Sequence, residues 1–187
     1  MMLIGATGTL RSGKGELVEY LRRRGFAHYS VSEFITEEVI RRGLLVNRDT
    51  MRDVANYLRA NFGVACIFDI LYARALEVGH TAIIIESLRA LGEVHRTKEL
   101  GGIVIGVDAD PLIRFRRALA CRSVKDHVTY EEFCAQERAE TNEGDSSKQN
   151  LPGCLREADY VLMNNGTLAE LESQFEGAMK KILARAG

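Results

Sequence analysis

A chain of 187 residues, 46% hydrophobic and with a formal net charge of −1, has the size and apolar content of one domain with a sizeable core. Its near-neutral balance gives no case for a nucleic-acid or membrane surface, so phosphates would be met by local arginines. No apolar run is long enough to span a bilayer.

The first residues run straight into a strand pattern, so no targeting peptide is expected. Four cysteines (Cys66, Cys121, Cys134, Cys154) show no C-x-x-C spacing. They are expected to be reduced thiols of a cytoplasmic protein, without a disulfide or zinc framework.

In chain order, residues 2–7 are apolar and predict a strand. A glycine-rich turn and a helix over about 13–24 follow, and Gly25 closes the helix. Gly8, Gly13 and Lys14 stand at the spacing G-x-x-x-x-G-K. This is a P-loop. Its backbone N–H groups curl around a phosphate chain at a helix N-terminus, and the lysine reaches the outer phosphates. The candidate phosphate-binding residues are Gly8, Thr9, Leu10, Arg11, Ser12, Gly13, Lys14, Gly15 and Glu16. Gly15 stands where most P-loop proteins place the Ser or Thr that ligates Mg²⁺.

Residues 26–30 predict a second strand. Ser32 is expected to cap a helix with Phe34, Ile35, Val39 and Ile40 on its apolar face, stopped at Gly43. Asn47 or Asp49 starts another helix, with Met51, Val54, Ala55 and Leu58 at helical spacing. Gly63 interrupts it, and a further helical stretch runs to Val78. The run Ile83-Ile84-Ile85 ending in Glu86 is the pattern of a central parallel strand buried on both faces. A short helix follows over about 91–99.

A fourth strand is expected over 103–107, followed by Asp108 and Asp110, both read as caps of the next helix. Pro111 suits that helix's first turn, and Arg114, Arg116 and Arg117 lie along it. After a charged break at 122–128, Thr129 and Glu132 form a capping box for a helix to about 139. The polar run 141–150 is expected to be mobile or ordered by ligand. Residues 160–163 make the fifth strand. Asn164-Asn165-Gly166 is a turn, and a second capping box (Thr167, Glu170) opens the last helix.

Alternating strands and helices imply a parallel, doubly wound sheet, which binds ligands beyond the carboxyl ends of its strands. The P-loop, Glu33, Glu86 with Arg89, Asp108 and Asn164 all fall at such ends.

With the P-loop, Ser30-Val-Ser-Glu33, Glu86-Ser-Leu-Arg89 and the 160–167 segment together, the chain resembles the nucleoside-monophosphate kinase group. Within it the likeness is to dephospho-CoA-kinase-like and adenylate-kinase-related proteins. The resemblance implies a three-layer α/β P-loop NTPase fold. Its five-stranded parallel sheet would have the order 2-3-1-4-5, with helices on both faces. The core is expected over 1–31, 80–116 and 155–187, an acceptor-binding helical segment over about 32–79 and a lid over about 117–150. In Glu86-Ser-Leu-Arg89, which resembles the family's D-G-x-P-R, Arg89 would hold the acceptor's phosphate. Thr36 stands where adenylate kinases carry an arginine. Arg117 and Arg122 match the lid arginines, and Asn164 and Asn165 lie near the expected adenine.

The expected activity is transfer of the γ-phosphoryl of ATP, with Mg²⁺, to a small nucleotide-type acceptor. The acceptor is either a nucleoside monophosphate or dephospho-CoA. Lys14 would follow the transferring group, and Arg89, with Arg48 or Arg52, would clamp the acceptor. Arg117 and Arg122 would close over the phosphates. Glu33 and Glu86 would orient the acceptor or contact Mg²⁺ through water, Glu33 also being the candidate base for a hydroxyl acceptor. No nucleic-acid or membrane partner is expected, and the chain is expected as a monomer or homodimer. The competing class is a non-catalytic nucleotide-sensing domain that regulates a partner, suggested by Thr36 and Gly15.

Overall fold

The computed structural model describes residues 1–120, 129–139 and 148–186. Five strands form its centre: β1 (Met2–Gly8), β2 (Ala27–Ser30), β3 (Ala82–Leu88), β4 (Ile103–Asp108) and β5 (Tyr160–Met163). All pair in parallel, in the order β2-β3-β1-β4-β5. The expected sheet is therefore present, with β1 in the middle and the P-loop leaving its carboxyl end. Parallel strands buried on both faces read as continuous apolar runs, and Ile83, Ile84 and Ile85 are each fully buried.

The two faces divide the helices. On one, α1 (Lys14–Arg22) and the last helix, α9 (Leu168–Ala186), pack Leu17, Leu21, Leu171 and Phe175 against Ile4, Ile84 and Ile105. The other face carries α2 (Val31–Arg41), α3 (Arg48–Phe62) and α4 (Cys66–Val78), which cover Leu3, Ile83, Ile85 and Leu88. Beside them, α5 (Leu91–Glu99) and α8 (Leu151–Arg156) enclose Val94, Val104 and Cys154. Two helices, α6 (Pro111–Ala120) and α7 (Tyr130–Ala139), lie at the carboxyl end of the sheet, joined by the rings of Phe115, Tyr130 and Phe133.

Several local expectations are refined. The cap of α2 is Ser30, whose Oγ accepts from Glu33 N–H, so the helix begins at Val31 and Ser32 lies within its first turn. Ser30 ends β2 in extended geometry, which is what an N-cap requires. Asn47 caps α3. Asp110 caps α6 by accepting from Leu112 N–H. Asp108 instead accepts from Thr9 Oγ1 and Ala109 N–H, tying β4 to the P-loop. Helix α8 has no counterpart among the expected elements, although Asn150 and Pro152 are a readable start signal, with the Asn side chain accepting from Gly153 N–H. The run 121–128, including Arg122, and the run 140–147 lie outside the described residues. Among the described residues, no single helix is long and apolar enough to cross a membrane.

Candidate functional site

The loop between β1 and α1 has the backbone that an anion cradle needs. Gly13 enters α1 at φ 98°, and Arg11 also has a positive φ, at 59°. A Cβ at Gly8 would lie 2.4 Å from the Val107 carbonyl oxygen, so only glycine fits there. No side chain caps the N-terminus of α1, which leaves that helix end to a ligand. Ser12 is 1% exposed, and its Oγ finds no hydrogen-bond partner among the described residues. An orphaned hydroxyl inside a glycine arch at a helix N-terminus fits a phosphate, which accepts hydrogen bonds on every free oxygen.

The loop is braced from the far side. Asn164, just after β5, donates from Nδ2 to Ser12 O at 2.8 Å. Arg117 donates from Nη2 to Asn164 O at 2.9 Å and Oδ1 at 3.2 Å, and from Nη1 to Arg11 O at 3.5 Å. Arg114, almost fully buried, donates from Nε to Ala109 O at 2.8 Å and pairs with Glu137 of α7. Asn165 Oδ1 accepts from Asp110 N–H at 2.7 Å. Asn164 and Arg117 therefore hold the backbone of the P-loop here. Glu16 is exposed.

Lys14 points at the end of β3. Its Nζ lies 2.7 Å from Glu86 Oε2 and 3.1 Å from Ser87 Oγ. Glu86 is a hub. It also accepts from Ser30 Oγ and from Ser87 Oγ, and His28 Nε2 stands 3.8 Å from its Oε1, at ion-pair rather than hydrogen-bond range. Burial pushes the Glu86 carboxyl up, but His28, Lys14 and Ser30 outweigh it and hold the group well below the usual carboxylate range. It is therefore ionised at neutral pH.

Ser87 was not singled out from the sequence. It lies where β3 slips register against β1, Ala6 pairing with Glu86 and Thr7 with Leu88, and it has φ 67°. A non-glycine residue in left-handed geometry is strained, and such strain clusters at functional sites. The readable signal was its place directly after Glu86, where the resembling family has glycine.

A cavity of about 290 Å³ opens beside this hub. It is lined by Leu10 and Ser87, by the apolar side chains of Val31, Ile35 and Met51, and by the polar ones of Ser32, Arg48, Asp49, Arg52, Arg89 and Gln149. Arg52 pairs with Asp49 at 2.8 Å. The Arg89 backbone is fixed at both ends, its N–H donating to Glu93 Oε2 at 2.8 Å and its carbonyl accepting from Asn150 N–H at 2.8 Å. Of the expected acceptor residues, Arg48, Arg52 and Arg89 thus share one cavity next to Lys14. Glu33 does not line it: its side chain is exposed and only its N–H is used, to cap α2. Among the described residues, no group of three or more His, Cys, Asp or Glu is placed to hold a metal ion.

No family model matches the chain. A UPF0200 protein from Thermococcus kodakarensis, TK1334, is 28% identical over 190 residues, covering 98% of this chain and all of its own. One from Pyrococcus horikoshii, PH1008, is also 28% identical, covering 98% and 97%. Among solved structures, TT1252 from Thermus thermophilus superposes with a TM-score of 0.63 at 25% identity, covering 100% of this chain and 98% of its own. The shikimate kinase of Bacteroides thetaiotaomicron gives 0.57 at 12% identity, with 97% and 98% covered. The dephospho-CoA kinase of Campylobacter jejuni gives 0.55 at 16%, with 96% of each chain covered. The fold is that of the P-loop kinases.

Proposed function

We propose that this chain is an ATP-dependent phosphotransferase acting in the cytoplasm on a small nucleotide-type acceptor, with ATP in the P-loop and the acceptor in the arginine-lined cavity. One observation carries the reading. The P-loop lysine and a cavity lined by three arginines meet at Ser87, which lines the cavity and accepts from Lys14 Nζ at 3.1 Å. A sensing domain needs the P-loop alone, whereas a transferase needs a second cationic pocket opening onto the lysine.

ATP supplies the γ-phosphoryl group and Mg²⁺ neutralises its oxygens. The chain's contribution is positioning and positive charge, since phosphoryl transfer asks little else of a protein. An acceptor oxygen bonds to the γ-phosphorus as the β–γ bridging bond breaks, and ADP leaves with the electron pair. Lys14 would exchange Glu86 for the migrating phosphoryl, while Arg89 and the α3 arginines would hold the acceptor's own anionic group. Gly15 supplies no hydroxyl for Mg²⁺, so the ion would be held largely by phosphate oxygens and water, with Glu86 as the nearby acid.

The cavity volume favours a compact acceptor. At about 290 Å³ it lies at the small end of small-molecule sites, which run from about 300 to 1,000 Å³. A nucleoside monophosphate is in scale with it. Dephospho-CoA would leave its pantetheine arm outside. With Glu33 facing solvent and Asp49 paired with Arg52, the described residues lining the cavity offer no unpaired acid as a base for a hydroxyl, which also favours a phosphate acceptor. A coupled ADP-release assay across nucleoside monophosphates and dephospho-CoA tests this: acceptor-dependent ADP is expected, and no turnover with any acceptor refutes it.

A further inference from the structure

The polar pair farthest from solvent in the described residues has no part in the chemistry above. Arg59 of α3 and Glu93 of α5 form an ion pair with both side chains fully buried. Arg59 donates to Glu93 Oε1 from Nε at 3.1 Å and from Nη2 at 2.8 Å. The other oxygen, Oε2, accepts the backbone N–H groups of Arg89 and Ala90 at 2.8 and 3.1 Å. One carboxylate therefore joins the helix carrying Arg48 and Arg52 to the turn presenting Arg89.

Stability alone does not account for this arrangement. Desolvating two charges offsets much of their attraction, and an apolar pair of similar volume commonly does as well. Moreover, Arg59 Nη1 is buried with no hydrogen-bond partner among the described residues, so the pair is not fully satisfied. The packing around it is equally specific. Gly92 lets α5 approach the α3–α4 turn so closely that a Cβ would lie 2.4 Å from Val64 Cγ2. Outside, Arg96 of α5 reaches Asp69 of α4 at 2.8 Å. Arg52 lies seven residues before Arg59, about two turns away on the same face of α3. Fixing Arg59 against Glu93 thus fixes the spacing between the α3 arginines and Arg89.

We infer that Glu93, with Arg59, is a positioning residue for the acceptor: it sets the span of the arginine clamp across the cavity without touching the ligand. This rests on the acceptor reading of that cavity.

The test uses the double variant Arg59→Met/Glu93→Gln. It removes both charges together, strands neither, and leaves a side-chain oxygen for the Arg89 and Ala90 N–H groups. Three quantities are compared with wild type: backbone amide exchange at Arg89 and Ala90 without ligand, affinity for inorganic phosphate from the amide shifts of Arg52 and Arg89, and affinity for ADP. Positioning predicts exchange faster by about tenfold or more at those two amides, and phosphate binding weaker by about fivefold or more with ADP affinity kept within about twofold. Arg59→Lys, which keeps the charge, should recover part of the phosphate affinity, and it replaces the double variant if that fails to fold.

A folded double variant with exchange and phosphate affinity both unchanged overturns the inference. If wild type itself gives no phosphate response, the acceptor reading fails. Exchange then decides the joint alone, and unaltered rates at Arg89 and Ala90 overturn it.

Discussion

Replacing Ser87 with alanine and with glycine separates two effects that the wild-type residue combines. Its hydroxyl donates to Glu86 Oε2 at 2.6 Å and accepts from Lys14 Nζ at 3.1 Å, while its backbone sits at φ 67°. A hydrogen bond to a charged group is worth about 1.5–3 kcal/mol. Left-handed geometry costs a residue with a Cβ about 1–2 kcal/mol, which glycine escapes, though its freer unfolded chain returns part of that gain. Ser87→Ala loses the hydroxyl and keeps the strain, so it should lose about 2 kcal/mol. Ser87→Gly loses the same contacts but relaxes the backbone, and should be the more stable of the two by about 1 kcal/mol. For a chain of this length that gap is about 2–4 °C in melting temperature. Urea and thermal unfolding of the three proteins measure it. Alanine equal to or above glycine would refute the argument that β3 stores backbone strain at this point.

Gly13→Ala should destabilise the fold by about 1–2 kcal/mol and abolish nucleotide binding by calorimetry, since the new Cβ would lie 2.2 Å from Asn164 Nδ2 at φ 98°. The pH dependence of stability should report Glu86, whose folded-state pKa lies below its ordinary value of 4.5. A depressed carboxylate stabilises the fold fully above the unfolded pKa and loses that contribution as pH falls through the folded one, about 1.4 kcal/mol for each unit of depression. The wild-type advantage over Glu86→Gln in urea unfolding should therefore be level from neutral pH to about pH 5 and shrink below it; an advantage that grew on acidification would contradict the sign. Burial, with the Glu93 charge, pushes the Cys154 thiol up to about 12, so mass spectrometry should find it unlabelled by maleimide in the native protein at pH 8 and labelled after unfolding.

The fold was legible because its strongest signals are local. Three isoleucines in succession ending in an acid are the pattern of a doubly buried strand, and G-x-x-x-x-G-K marks a turn between strand and helix. The second pocket was legible in part: Arg48, Arg52 and Arg89 line one cavity. Glu33 could not be placed from sequence, because a first-turn acid serves a helix dipole as readily as a pocket. Arg59 and Glu93 escaped notice because charged residues on helices usually face solvent. Yet Arg59 follows Ala55 by four residues on the apolar face of α3, a position where a charge is either an error of pattern or a buried partner. Ser87 escaped because a positive φ in a non-glycine residue leaves no mark on composition or period, and its one signal was its place after Glu86, where the resembling family has glycine.

Crystals soaked with a non-hydrolysable ATP analogue and Mg²⁺ test the central claim most directly. The account predicts the triphosphate inside the arch from Gly8 to Lys14, with Ser12 Oγ satisfied and Lys14 Nζ moved from Glu86 to the outer phosphates. An empty arch, or a lysine still paired with Glu86 and no anion near it, would contradict it.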